Sequence, residues 1–232
     1  AGIAVAHSLL ARKPNLQIAM IDPADTHYYQ PGWTMVGAGI FTPESTAKSI
    51  QRLLPASVTW IKAAVAGFDP DNHQAILEGC QPVHYEALVV CPGLKLNWHG
   101  IEGLVDTLGK NGVTSNYRYD LAPYTWQLVQ QLQSGEAVFT QPPMPIKCAG
   151  APQKALYLSC AEWLNHGRIG KIKASFYSST PALFGVKEYV EPLMQYLRKY
   201  QVDLKLNTTL VEVDGPGKTA WFNVKDADGN LQ

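Results

Sequence analysis

Apolar residues recur at helical spacing from Ala1 to Lys13, with Ile3, Val5, Ala6, Leu9 and Leu10 on one stripe. Pro14 closes that helix, because proline has no amide to donate. Leu16, Ile18, Met20 and Ile21 then form an apolar run of strand length that ends at Asp22. Helix, tight connection and buried strand make the second half of a βαβ unit. A loop rich in Tyr, Trp and Gly is expected over 27–39, followed by a helix over 44–54 with Ser45 or Thr46 as cap. Strands are predicted over 58–61 and 63–68, a turn over 69–72, and a strand over 74–77 that pairs back across that turn. The run Tyr85–Val90 reads as a further buried strand ending at Cys91-Pro92-Gly93.

Residues 111–119 are polar and aromatic and read as a linker. Beyond them the pattern predicts helix 120–133, strand 137–140, a proline-rich loop 141–152, helix 154–165, strand 172–177, helix 188–200 and strand 202–206. That alternation is a second βαβ arrangement. The first helix starts at residue 1 with Gly2 in its opening turn, as the tail of a strand–turn–helix unit would. The last residues stop at a hairpin turn signal, Asp228-Gly229-Asn230. Both ends therefore read as cut, or as ordered segments of a longer chain.

The 232 residues are 46% hydrophobic and 16% charged, which supplies a sizeable core and argues against disorder. Nineteen basic residues balance nineteen acidic ones, so the basic excess of a nucleic-acid binder is missing. No apolar run approaches the ~18–20 residues that cross a bilayer. Cys80, Cys91, Cys148 and Cys160 form no CxxC and no zinc spacing, and the six histidines form no HxH or HxxxH, so no metal site is expected.

Candidate chemistry starts from spacing. Gly2 opens a helix, and Asp22 ends the next strand twenty positions later. In a dinucleotide fold, a glycine lets the backbone approach the pyrophosphate, and an acid about 20 residues on receives a ribose hydroxyl. A helix that merely begins near Gly2, and an Asp22 that only makes a turn before Pro23, is the competing reading.

Three stretches, AGIAVAHSLL, IDPADTHYYQPGWTMVGAG and PIKCAGAPQKALYLS, together resemble the flavoprotein sulfide:quinone oxidoreductases, particularly their mitochondrial-type branch. The resemblance covers essentially the whole chain. It implies an α/β fold of two Rossmann-like FAD/NAD(P)-binding domains. Residues 1–112 would be an FAD-binding domain lacking its first strand. Residues 113–232 would be a second Rossmann-like domain that carries a redox cysteine and is cut at its C-terminal end. It further implies FAD as cofactor, sulfide and quinone as substrates, and peripheral attachment to a bacterial or mitochondrial inner membrane. Homo-oligomerisation stays open. Carried over by position, Gly2 is the last glycine of the pyrophosphate loop and Asp22 the ribose acid. Tyr29, Gln30 and Pro31 line the flavin region, Ala64 and Val65 meet the adenine through their backbone, and Gly93 sits near the cofactor. Cys148 is one cysteine of the redox pair, and the resemblance puts the second in a Gly-Asp-Cys segment outside these residues.

The residues around Cys148 make their own case. Lys147 precedes it, small residues follow, and a helix begins near Gln153 with Lys154 in its first turn. Cationic neighbours and a helix N-terminus favour the thiolate that attacks sulfur or flavin. Cys148 and Lys154 are accordingly the expected catalytic residues, against the alternative of an inert buried thiol. Cys160 and Cys91 read as packing residues, and Cys80 as a turn residue. His27 is either a proton carrier or a plain loop histidine; Tyr28, Tyr29 and Trp33 either stack on a flavin or fill core. The loop CAGAPQ lacks the glycine pattern that cradles a nicotinamide dinucleotide, which disfavours the runner-up, an NADH:quinone dehydrogenase. A third reading is an inactive fragment of the FAD fold.

Overall fold

The computed structural model describes residues 1–226. The turn expected at Asp228-Gly229-Asn230 lies outside the described residues. The chain forms two compact units, one of Ala1–Tyr28 with Ala47–Leu94, the other of Tyr29–Thr46 with Lys95–Gln232.

In the first unit, helix α1 (Gly2–Arg12) leads into strand β1 (Ile18–Ile21), which pairs in parallel with β4 (Val58–Ile61). Strand β2 (Thr26–Tyr28) pairs antiparallel with β3 (Ala47–Ser49), and a short helix α3 (Ile50–Leu53) follows; the intervening α2 (Trp33–Val36) belongs to the second unit. The pairing overturns the continuous helix expected over 44–54. Thr46 is buried, accepts from Trp33 Nε1 at 3.2 Å and donates to Pro43 at 2.7 Å, so the chain enters 47–49 extended. Strands β5 (Val65–Asp69), β6 (Gln74–Leu77) and β7 (Val83–His84) form an antiparallel meander. Its first turn is closed by Asp69, which accepts from Asn72 through both carboxylate oxygens. That side-chain bond holds the Asp69 carboxyl below its usual range. The strand expected over 85–90 does not form. Val89 and Val90 are more than half exposed, and no strand pairs with them among the described residues. An apolar run becomes a buried strand only when it has a ladder partner.

The second unit is built on a parallel three-stranded sheet in the order β10-β9-β8, from β8 (Gly135–Gln141), β9 (Ile172–Ser178) and β10 (Asp203–Lys205). Helix α4 (Leu104–Thr107) is a single turn. Helix α5 (Ala122–Gln131) precedes β8, α6 (Gly150–Asn165) joins β8 to β9, and α7 (Lys187–Lys199) joins β9 to β10. The βαβαβ order matches the sequence expectation, with α6 starting four residues earlier than read. Trp163, Leu156 and Cys160 from α6 pack with Phe176 and Ala174 from β9 and Leu197 from α7 in one buried cluster. Arg168 caps the neighbouring helix, since its Nη1 donates to the carbonyls of Gln130 at 2.8 Å and Leu132 at 3.0 Å at the end of α5. A guanidinium there also answers the negative end of the helix. Gly39 (φ +71) is required by close approach, because a Cβ would lie 2.4 Å from Trp126.

An antiparallel hairpin, β11 (Thr208–Asp214) and β12 (Thr219–Val224), completes the unit. Its signal was present in the sequence: alternating β-branched residues around Asp214-Gly215-Pro216-Gly217. The expected linker 111–119 is integrated into this unit, with Thr114 bonded to Thr125 at 2.8 Å and Tyr119 beside Trp33.

Candidate functional site

The expected site residues fall into one group in each unit. In the first unit, Gly2 is the opening residue of α1, and a Cβ built on it would lie 3.8 Å from Met20 Cε and 3.9 Å from Cys91 Cβ. The start of α1 therefore lies beside the C-terminal half of β1 and the Cys91 segment. Asp22 follows β1 directly. Its Oδ1 accepts the amide of Ala24 at 2.9 Å, the turn role of the competing reading, while Oδ2 has no partner among the described residues. One fixed and one open carboxylate oxygen can hold a ribose hydroxyl. Ala64 precedes β5 and accepts from the Glu78 amide at 2.9 Å; Val65 begins that strand. Gly93 has φ +78 with open space where a Cβ would stand. An uncrowded helix start, an acid at the strand end and a bare glycine backbone fit the pyrophosphate and ribose of a dinucleotide. Cys91 is exposed, so it does not pack as expected: its strand never forms.

In the second unit, Tyr29 is 55% exposed and its amide donates to Thr46 at 2.7 Å, which leaves the ring free to meet a planar ligand. Gln30 and Pro31 form a 3-10 turn leading into α2. Trp33 does not stack outward; it is buried against Val36, Ala122 and Tyr119. His27, of the first unit, pairs with Lys48 across β2 and β3.

Cys148 is exposed, two residues before α6. A Cβ on Gly150 would lie 3.9 Å from its Sγ, which places the sulfur at the start of that helix. The Cys148 carbonyl accepts the Ala151 amide at 3.2 Å and the Tyr117 hydroxyl at 3.4 Å. Burial first, and then the charge of Cys148, raises the Tyr117 phenol above its ordinary value, so it keeps its proton as a donor. Lys147 Nζ donates to Gln30 Oε1, which joins the cysteine loop to the 29–31 turn. Lys154, the fifth residue of α6, stands exposed at the start of its second turn, with no ion pair or side-chain hydrogen bond among the described residues. Sequence reasoning missed Tyr117, since a tyrosine in an apparent connector carries no local signal.

Cys160 behaves oppositely to Cys148. It is fully buried, and burial pushes its thiol up to about 12. Native-state titration with a thiol reagent is expected to count three cysteines, and four after unfolding. Four reactive thiols in the native protein would contradict this. The sign for stability is also set. An unfolded thiol ionises near ~8.5 while the folded one holds its proton, so stability falls as pH rises from there toward 12. Among the described residues, no three His, Cys, Asp or Glu side chains are grouped to hold a metal, and no helix is long and apolar enough to cross a membrane.

A parallel βαβαβ unit, with a second unit built on helix α1 and the parallel pair of β1 and β4, defines the class as a Rossmann-type α/β fold. The crystal structure of the sulfide:quinone oxidoreductase from Aquifex aeolicus matches all of this chain with a TM-score of 0.80, over 53% of its own length and at 20% identity, a likeness of fold. The mitochondrial sulfide:quinone oxidoreductase of Dictyostelium discoideum is 38% identical over 234 residues, covering 100% of this chain and 52% of that protein. Its mouse counterpart is 32% identical over 228 residues, 98% of this chain and 51% of that one. No family model matches the chain. Over its whole length the chain is similar to mitochondrial sulfide:quinone oxidoreductases, and it spans about half the length of the curated relatives it matches.

Proposed function

We propose that the complete protein is an FAD-dependent enzyme that oxidises sulfide to sulfane sulfur and delivers the electron pair to a membrane quinone. The observation that carries this reading is the exposed Cys148 at the start of α6, tied through Lys147 to Gln30 in a turn expected to line a flavin. FAD, when bound, supplies a two-electron acceptor that returns the pair to quinone.

In the first unit, the amides at the start of α1 and the backbone at Gly93 receive the pyrophosphate region, Asp22 holds the ribose, and Ala64 and Val65 border the adenine. In the second, Tyr29, Gln30 and Pro31 line the flavin side. Hydrosulfide attacks a disulfide that includes Cys148, with its partner cysteine expected from the family resemblance. One sulfur–sulfur bond breaks as another forms, leaving a persulfide on one cysteine and a thiolate on the other; FAD, if bound beside them, would supply the two-electron acceptor that lets the disulfide re-form. The positive end of α6 and the Lys154 ammonium favour anionic sulfur during that exchange. The domain assignment, 1–112 to FAD binding and 113–232 to the redox cysteine, follows from the same reading. So does peripheral attachment at a mitochondrial or bacterial inner membrane, where an apolar quinone is met.

The test is an anaerobic visible spectrum of the complete protein. A flavin band that bleaches on adding sulfide and recovers with quinone is the expected result. Bleaching by NADH but not by sulfide moves the assignment to an NADH:quinone dehydrogenase, and a colourless protein to an inactive FAD-fold module.

A further inference from the structure

The loop that carries Cys148 is proline-rich and exposed, and two side chains from elsewhere in its unit hold it. Gln30 binds Lys147, and Tyr117 donates to the carbonyl of Cys148 itself. A carbonyl oxygen has two lone pairs, and here both are engaged, one by Ala151 within the turn and one by Tyr117 from the 115–118 segment. Holding that carbonyl restrains the peptide plane that follows Cys148, and so narrows the backbone positions from which the sulfur is presented. Tyr117 is half-buried, and its own backbone is held by Ser115, whose hydroxyl accepts the Tyr117 amide at 3.1 Å. The tether therefore comes from an ordered turn rather than from a swinging side chain.

We propose that Tyr117 is a positioning residue for Cys148, acting with the Gln30–Lys147 bond to hold the loop backbone that presents the sulfur at the start of α6. The inference rests on the reading of Cys148 as the sulfur-reactive residue. Tyr117 does not touch the reacting sulfur; it acts through the main chain, so its loss alters how Cys148 is presented and leaves the fold in place.

With Cys80 and Cys91 replaced by serine and the complete protein reduced, peptide mass spectrometry reads alkylation at Cys148 apart from any other thiol, and Cys160 is buried. In that background, Tyr117→Phe keeps the ring and removes the hydroxyl. Alkylation of Cys148 by iodoacetamide at about pH 8 is expected to slow about three- to fivefold, the equivalent of one neutral hydrogen bond, because a sulfur less firmly held at the positive end of α6 forms its thiolate less readily. Amide exchange in 146–151 is expected to quicken, while Cys160 stays protected and the melting temperature moves by less than about 2 °C. In the complete flavoprotein, the same substitution is expected to slow sulfide-driven flavin reduction without loss of flavin. Unchanged alkylation and exchange would overturn the proposal. So would a large drop in melting temperature with Cys160 uncovered, since that makes Tyr117 a packing residue. The functional reading fails separately, if sulfide still bleaches the flavin of a Cys148→Ser protein at the normal rate.

Discussion

Cys148→Ser in the complete protein is expected to abolish sulfide-driven flavin reduction, a loss of at least about 10³-fold or roughly 4 kcal/mol in the barrier. Serine nearly preserves size and can keep the main-chain bonds of Cys148 to Ala151 and Tyr117, because both reach the carbonyl. What it removes is sulfur chemistry: a hydroxyl forms neither a disulfide nor a persulfide, and it ionises far too weakly to replace a thiolate. Cys148 is exposed, so the substitution opens no cavity and the melting temperature should hold. Flavin content should hold too, because Gly2, Asp22, Ala64, Val65 and Gly93 are untouched. Stopped-flow absorbance under anaerobic conditions measures the outcome. Reduction by sulfide at the normal rate would remove Cys148 from the mechanism.

The largest stability effect is expected at Trp163. Its side chain is 2% exposed in the cluster formed by α6, β9 and α7, lies 6.3 Å from Phe139 ring to ring, and donates Nε1 to the carbonyl of Val129 at 2.9 Å. Trp163→Ala removes the whole ring from a packed interior and should cost about 3–5 kcal/mol, the range for burying a cavity of that size. A loss of that order is a large fraction of the 5–15 kcal/mol that holds a typical domain together, and should lower the melting temperature by roughly 6–20 °C. Trp221→Ala is the control, since that ring is 43% exposed on β12, and it should cost less than about 1 kcal/mol. Urea unfolding followed by circular dichroism separates the two. Equal midpoints would mean that Trp163 does not fill the core of the second unit.

The sequence by itself determined the regular parts. Helix α1 with strand β1, and the run β8, α6, β9, α7, β10, were legible because each carries its own apolar period and is punctuated by Pro or Gly. The resemblance was legible for a related reason, since KCAGAPQK is a local string that a window of sequence contains whole. Tertiary structure alone decided the rest. Residues 47–49 have helix-forming character and become strand because Thr26–Tyr28 offers a ladder, while 85–90 has strand character and stays open because no ladder reaches it. Two thiols of equal chemistry, Cys148 and Cys160, differ because one is exposed before α6 and the other is sealed within it. The meeting of Gln30 with Lys147, and of Tyr117 with Cys148, joins positions 117 and 31 residues apart. Such pairings depend on how elements pack, and packing is a property of the whole chain that no local window of sequence contains.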